Sequence, residues 1–278
     1  MYPQTGYVKV VNDAVTGVPD SVDHLLITRE RGRNTIRIEK TIPQNRTSET
    51  ESITVENPAL FFITVLKETL MDNGIVCSGD LRTDEETDYT ACRLIYTHES
   101  PPLQDILKVT NKVSHNLYIE QILLTLGAEY GEAGSASEGT KVVSRTMAGI
   151  GIPENEFVMQ DGSGLSRKDL ISPNAAATLL RYMARRDDFD IFFDTLPVAG
   201  VDGTLRRLMS GTQAAGRVHA KTGTVGYVRN LSGYVDTIGG ERLIFSLLVN
   251  HYTLPTSSIN LLQDRLCNVL AAFQRDQR

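Results

Sequence analysis

The last third of the chain constrains the fold most. Three strand-length segments, Arg217–Thr224, Leu231–Asp236 and Arg242–Asn250, follow one another closely. Gly226, Gly233 and Gly239-Gly240 mark bends and a hairpin turn between them. Strands joined by such short turns pair antiparallel, because a parallel pair needs a long crossover. An amphipathic stretch from about Ser257 to Phe273 then supplies a helix to pack on the sheet.

Upstream, the pattern changes twice. Residues 1 to 56 alternate in short segments such as Leu25-Leu26-Ile27 and Thr35-Ile36-Arg37-Ile38, punctuated by Arg31-Gly32-Arg33-Asn34 and Pro43-Gln44-Asn45, which predicts β-rich structure. Helical spacing begins after Asn57-Pro58, with Leu60, Phe61, Val65, Leu66 and Leu70, and closes at Asn73-Gly74. Pro58 suits the first turn, where a missing N–H is harmless. Further helices are expected at about 103–112, at about 117–126 with Gly127 as terminator, at about 136–149, and at 174–186 after Ser172-Pro173. Helices on a late antiparallel sheet make an α+β fold, with a β-rich segment at 1–56 and a second region at 57–278.

Composition narrows the function. With 278 residues and 41% hydrophobic content the chain can bury a large core. Its 28 basic and 34 acidic residues, net −6, include no long basic run, which argues against nucleic acid or anionic membrane as partner. No stretch approaches the roughly 20 apolar residues of a transmembrane helix, and Met1-Tyr2-Pro3-Gln4 does not begin a signal peptide. Cys77, Cys92 and Cys267 form no Cys-x-x-Cys pair. The favoured reading is three buried small hydrophobes. A Cys77–Cys92 bridge is the alternative, since only the polar turn from Ser78 to Ala91 separates them.

Several short motifs bear on chemistry. In Lys221-Thr222-Gly223-Thr224 a cation and two hydroxyls flank a glycine that lets a substrate backbone approach; the plain structural reading is a strand entering a turn. Ser114-His115-Asn116 precedes a helix, so Ser114 or Asn116 is expected as its N-cap, unless hydroxyl and amide face a cleft. Asp161-Gly162-Ser163-Gly164-Leu165-Ser166-Arg167 is a loop in which Asp161, Ser163 or Arg167 could contact substrate or simply connect elements. Asp202 or Thr204 in Val201-Asp202-Gly203-Thr204 is expected to cap a short helix containing Leu205 and Leu208. Other chemistries fail. Ala220 breaks the phosphate-loop pattern before Lys221, Ser163 lacks the Gly-x-Ser-x-Gly elbow, and His24, His98, His115, His219 and His251 have no zinc spacing. No metal is expected.

Ser-x-Asn followed by Lys-Thr-Gly is two thirds of the motif set of penicillin-binding proteins and serine β-lactamases. From Asn57 onward the chain resembles the class C low-molecular-mass penicillin-binding proteins, the D-alanyl-D-alanine carboxypeptidase/endopeptidase family. Four blocks carry the resemblance in family order: Asn111 to Tyr118, Asp161 to Arg167, Leu196 to Leu205, and His219 to Thr224. Residues 1–56 resemble the tail of the β-rich domain this family inserts before Ser-x-Asn.

The resemblance implies a β-lactamase/transpeptidase-like fold and an acyl-enzyme attack on peptidoglycan stem peptides ending in D-Ala-D-Ala, with β-lactams trapping the nucleophile and no cofactor required. Ser114 would relay a proton to the leaving amine, Asn116 would hold the substrate amide, and Lys221 would place positive charge near the substrate carboxylate and Ser114. Thr222 and Thr224 would bind that carboxylate beside Gly223, and the Thr224 N–H would form half of an oxyanion hole. His115 replaces a residue often acidic in related enzymes.

One departure is larger. No serine here has lysine three residues later; Ser166-Arg167-Lys168 has the wrong spacing. The expectation is a C-terminal portion that is inactive alone, with an apolar surface and a sheet edge left for a second chain or for self-association. The whole protein would lie in the periplasm or otherwise outside the cytoplasm. Two rivals are a non-catalytic relative that binds wall or partner, and a β-lactamase or esterase of the same superfamily.

Overall fold

The computed structural model describes residues 1–275 apart from 49, 84–87, 89 and 91. The chain forms two compact units, Met1–Thr97 and His98–Arg278. Patterning placed a boundary at 56/57; the compact units divide later, because the helix after Pro58 is tied to the β-rich part.

In unit 1, β1 (Lys9–Asn12) runs parallel to β4 (Thr35–Glu39), and β3 (Leu26–Arg29) pairs antiparallel on the other side of β4. β2 (Val15–Gly17) pairs with β5 (Thr41–Pro43). Helix α1 (Pro58–Asp72) begins where the Asn57 side chain accepts from the Leu60 N–H, and Pro58 occupies the first turn. Tyr7, just before β1, fastens the chain's start to α1: its ring meets Phe61 at 5.7 Å and its hydroxyl donates to the Glu56 carbonyl at 2.8 Å.

Unit 2 opens with α2 (Leu103–Val113), α3 (Asn116–Tyr130) and α4 (Ala136–Gly149). The Ser135 hydroxyl caps α4 by accepting from the Glu138 N–H at 3.2 Å. α3 does not stop at Gly127. That glycine allows α4 to approach, since a Cβ there would lie 2.9 Å from the Gly139 nitrogen, and one on Gly139 would lie 2.2 Å from the Leu123 carbonyl oxygen. A short hairpin, β6 (Phe157–Val158) and β7 (Leu170–Ile171), encloses the loop of residues 159–169. α5 (Pro173–Met183) and α6 (Phe189–Thr195) follow.

The main sheet has the order β10-β9-β8, all antiparallel, with β8 at Val218–Val225, β9 at Val228–Asp236 and β10 at Arg242–Asn250. Alternation sends its two faces to different partners. Val218, Ala220, Leu231, Val235 and Phe245 pack against Cys267 and Ala271 of α7 (Thr256–Ala271). Tyr234, on the other face, packs with Leu180, Leu196, Phe189, Phe192 and Phe193, and its hydroxyl donates to the Leu180 carbonyl at 2.7 Å. Each fully buried valine, leucine or phenylalanine among them contributes about 1.5–3 kcal/mol. Gly233 is not a bend but the middle of β9, where a Cβ would sit 2.2 Å from the His219 carbonyl oxygen.

Among the described residues, β10 pairs only with β9. β8 is flanked by the segment 196–200, where Ala199 N–H donates to the Val218 carbonyl and Ala220 N–H to the Pro197 carbonyl. No described helix is long and apolar enough to cross a membrane. All three cysteines are free; only Cys267 is buried, its thiol pushed up to about 12 by burial, while Cys77 is half-buried and Cys92 exposed. The expectation of three buried cysteines thus holds only for Cys267, and the alternative Cys77–Cys92 bridge is not formed; part of the Ser78–Ala91 turn falls outside the described residues.

Candidate active site

Two elements far apart in sequence meet at one contact. Ser114 ends α2 in the left-handed conformation, φ 58° and ψ 55°, so the chain reverses into α3 after two residues. It is therefore the C-cap of α2 rather than an N-cap. His115 fills the N-cap of α3, its Nδ1 accepting from the Tyr118 N–H at 3.4 Å, while Asn116 is the first residue of α3. The His115 ring lies against Tyr118, 4.1 Å between centroids.

Lys221 projects from β8 on the face opposite Ala220. Its ammonium donates to Ser114 Oγ at 2.8 Å and to the Thr222 carbonyl at 2.9 Å. Burial pushes this lysine below its ordinary value. Across the sheet Lys221 is in register with Ser232 and then Ser246, whose hydroxyls lie 2.9 Å apart, so the lysine is followed by a row of hydroxyls. A basic, partly dehydrated amine touching a serine hydroxyl can pass a proton through it.

The rest of the Lys-Thr-Gly segment is held from both sides. The Thr222 hydroxyl donates to Thr204 Oγ1 at 3.0 Å. The Thr224 hydroxyl oxygen accepts from the Arg229 guanidinium, leaving its own proton free to donate elsewhere. Asn260 Oδ1 steadies that arginine by accepting from its Nε at 2.8 Å. A Cβ at Gly223 would meet nothing closer than Asn230 at 3.5 Å, an ordinary contact. Nothing inside the fold demands glycine there.

The loop containing Asp161, Ser163 and Arg167 is held against α3. Glu120 accepts from the Gly162 N–H at 3.1 Å and the Ser163 N–H at 2.8 Å. Asp161 accepts from the Gly164 N–H at 2.6 Å and the Ser166 N–H at 2.9 Å, so it organises the loop. Burial raises Asp169 behind it, with Asp161 nearby adding to the rise. Arg167 reaches the β8–β9 turn, its Nη2 lying 3.5 Å from where a Gly226 Cβ would be.

Asp202 does not cap the short helix Gly203–Leu205. It accepts from Lys112 Nζ at 2.7 Å and from the Val198 N–H at 2.9 Å. The contacts of Lys112, Asp202, Arg229 and Glu120 are thus ones that motif reasoning did not find, Asp202 having been singled out only as a helix cap. Their partners are 90, 90, 5 and about 42 positions away, and only the Arg229–Thr224 pair, across one hairpin, could have been found by pairing adjacent strands.

A family model described as the D-Ala-D-Ala carboxypeptidase 3 (S13) family matches residues 1–268. The chain belongs to this family. A D-alanyl-D-alanine carboxypeptidase of an Actinomadura species is 34% identical over 278 residues, covering 98% of this chain and 51% of the relative. The carboxypeptidase DacB of Haemophilus influenzae is 29% identical over 205 residues, 73% of this chain and 42% of the relative. The crystal structure of penicillin-binding protein 4 (dacB) from Haemophilus influenzae, complexed with a β-lactam, superimposes with TM-score 0.78 at 25% identity, covering 96% of this chain and 64% of that one. The expected transpeptidase-like α+β fold holds. This family member spans about half the length of the curated relatives it matches.

Proposed function

We propose that unit 2 carries the peptide-binding and proton-relay half of a serine-type D-Ala-D-Ala carboxypeptidase site acting on peptidoglycan stem peptides. The observation that carries this reading is the 2.8 Å contact between Lys221 Nζ and Ser114 Oγ. In the reaction, a serine attacks the D-Ala-D-Ala carbonyl and the terminal D-Ala leaves as an amine; water then releases the acyl group. Lys221 and Ser114 deliver the proton the leaving nitrogen needs, and Asn116, at the start of α3, holds the stem-peptide amide. Thr222 and Thr224 receive the terminal carboxylate under the charge of Lys221 and Arg229, and the Thr224 N–H is half of the oxyanion hole. Gly223 is the point where the peptide backbone passes close.

The same chemistry makes β-lactams ligands of the whole enzyme and places it outside the cytoplasm with its substrate. Cleavage of cross-links, an endopeptidase activity, uses the same groups. The open edge of β10 and the exposed Leu262, Leu266 and Val269 of α7 support a second chain, or a second copy, against this face. Sedimentation showing a monodisperse monomer would remove that part of the reading.

Gly223→Ala gives the sharpest test. Its Cβ has room, so thermal stability should hold or rise slightly, while affinity for a diacylated Lys-D-Ala-D-Ala peptide, measured by calorimetry, should fall about tenfold or more. Unchanged affinity would sink the reading. Incubation of the 278-residue chain with a penicillin should leave its intact mass unchanged, because no Ser-x-x-Lys is present. An adduct on Ser114, Ser163 or Ser166 would replace the relay role with a nucleophilic one.

A further inference from the structure

We propose that Lys112 and Asp202 are positioning residues whose ion pair sets the contact between Ser114 and Lys221. The inference rests on the reading of those two residues as the site.

Ser114 occupies a left-handed conformation that costs a side-chain-bearing residue roughly 1–2 kcal/mol. Such a conformation persists where the surroundings over-determine it. Here the last turn of α2 is pinned at three points. Lys112 Nζ donates to the Leu196 carbonyl at 2.6 Å and to Asp202 Oδ2 at 2.7 Å. Asn111 Nδ2 donates to Thr195 Oγ1 at 2.7 Å. The Lys112 carbonyl oxygen would lie 2.5 Å from a Cβ on Gly203, a close approach only glycine permits.

The Lys112 side chain is 14% exposed. A cation this far out of water requires its acceptors, so removing either one moves the helix end. Asp202 extends the link to the other side of the site. Its second oxygen accepts from the Val198 N–H at 2.9 Å, and Val198 bridges to His219 on β8, two residues before Lys221. One carboxylate therefore ties the element that presents Ser114 to the edge of the strand that presents Lys221. Neither residue lies within 4 Å of a Cβ placed on Gly223, where only Asn230 does, so both act through Ser114 and Lys221.

The test is the titration of the Lys221 ammonium, followed by NMR on the full 278-residue chain with labelled lysines and assigned by Lys221→Arg. Asp202→Asn keeps the acceptor for Val198 and removes the charge that holds Lys112. Loss of a negative charge alone would lower Lys221. Loss of positioning puts water in place of the Ser114 acceptor and relieves the burial that holds Lys221 down, raising it by about half a unit or more. The two readings thus predict opposite signs. A lowered or unchanged Lys221 in folded Asp202→Asn overturns the proposal. Lys112→Arg, which can keep both acceptors, should return the wild-type titration.

Should Asp202→Asn not fold, judged by near-ultraviolet circular dichroism, Asp202→Glu displaces the carboxylate without removing charge and must also raise Lys221. Affinity for the D-Ala-D-Ala peptide is measured in parallel. Its absence in the wild type would sink the functional reading, while the sign of the Lys221 shift still decides the positioning role.

Discussion

α1 and α7 are helices of 15 and 16 residues with apolar side chains at three- and four-residue spacing. In α1 no residue is fully buried, and Phe62 is 65% exposed. In α7, Ile259, Gln263, Cys267 and Ala271 are buried at successive four-residue steps. The difference lies in what arrives opposite. α7 meets the face of a nine-residue strand, β9, paired on both sides, whereas α1 is held by Gly6 and Tyr7, which lie outside any strand, in a unit whose strands are only three to five residues long. Periodicity orients a helix face; only a broad enough partner removes that face from water. Ser114-His115-Asn116 and Lys221-Thr222-Gly223-Thr224 both lie in unit 2, where a packed scaffold can hold side chains to the tolerances the proposed proton transfer requires.

The comparison breaks most visibly at Gly233. Gly233→Val drives a side chain into the β8 backbone, and the expected cost exceeds about 4 kcal/mol. Calorimetry should show the transition of unit 2 lost; a wild-type melting profile would mean the sheet is not the scaffold described here. Next, Leu231→Ala should cost about 2–5 kcal/mol, while Phe62→Ala in α1 should change stability by no more than about 0.5 kcal/mol. Equal costs in denaturant unfolding would erase the contrast between the units.

The smallest effect is one of pH. His219 lies in unit 2 against Phe193, 4.1 Å between ring centroids, and its buried Nδ1 has no hydrogen-bond partner among the described residues. Burial holds its folded-state value below the ordinary 6.5, outweighing the opposite pull of Asp236. The unfolded chain then binds the proton more readily, so this contribution to stability is full above about pH 6.5 and is lost as pH falls toward the folded-state value. His219→Gln should flatten that acid limb in unfolding titrations. An acid limb of the same slope would assign it to other groups.

Much of the architecture was legible because its causes are local. Asn57-Pro58 start α1, Ser135 starts α4, and Gly239-Gly240 turns β9 into β10, each through a hydrogen bond or a φ value that neighbouring residues decide. Reading failed where a residue's reason lay across the fold. Gly127 looked like a helix stop and is a helix contact; Gly233 looked like a bend and is a strand crossing close to β8. Asp202 looked like a cap and is an ion-pair partner. In each case the deciding atom belongs to another element.

Taken alone, the order of Ser114-His115-Asn116 and Lys221-Thr222-Gly223-Thr224, with the blocks between them, pointed to the family that matches residues 1–268 and to the groups proposed to carry its chemistry, because motif residues are constrained by the substrate they serve. Tertiary structure set the 2.8 Å contact of Lys221 with Ser114, gave the Thr224 hydroxyl oxygen the Arg229 guanidinium as its donor, and brought Lys112 to Asp202. Hydrogen bonds and ion pairs act over about 3 Å in space, and no rule of sequence spacing brings residues 112 and 202 to that distance.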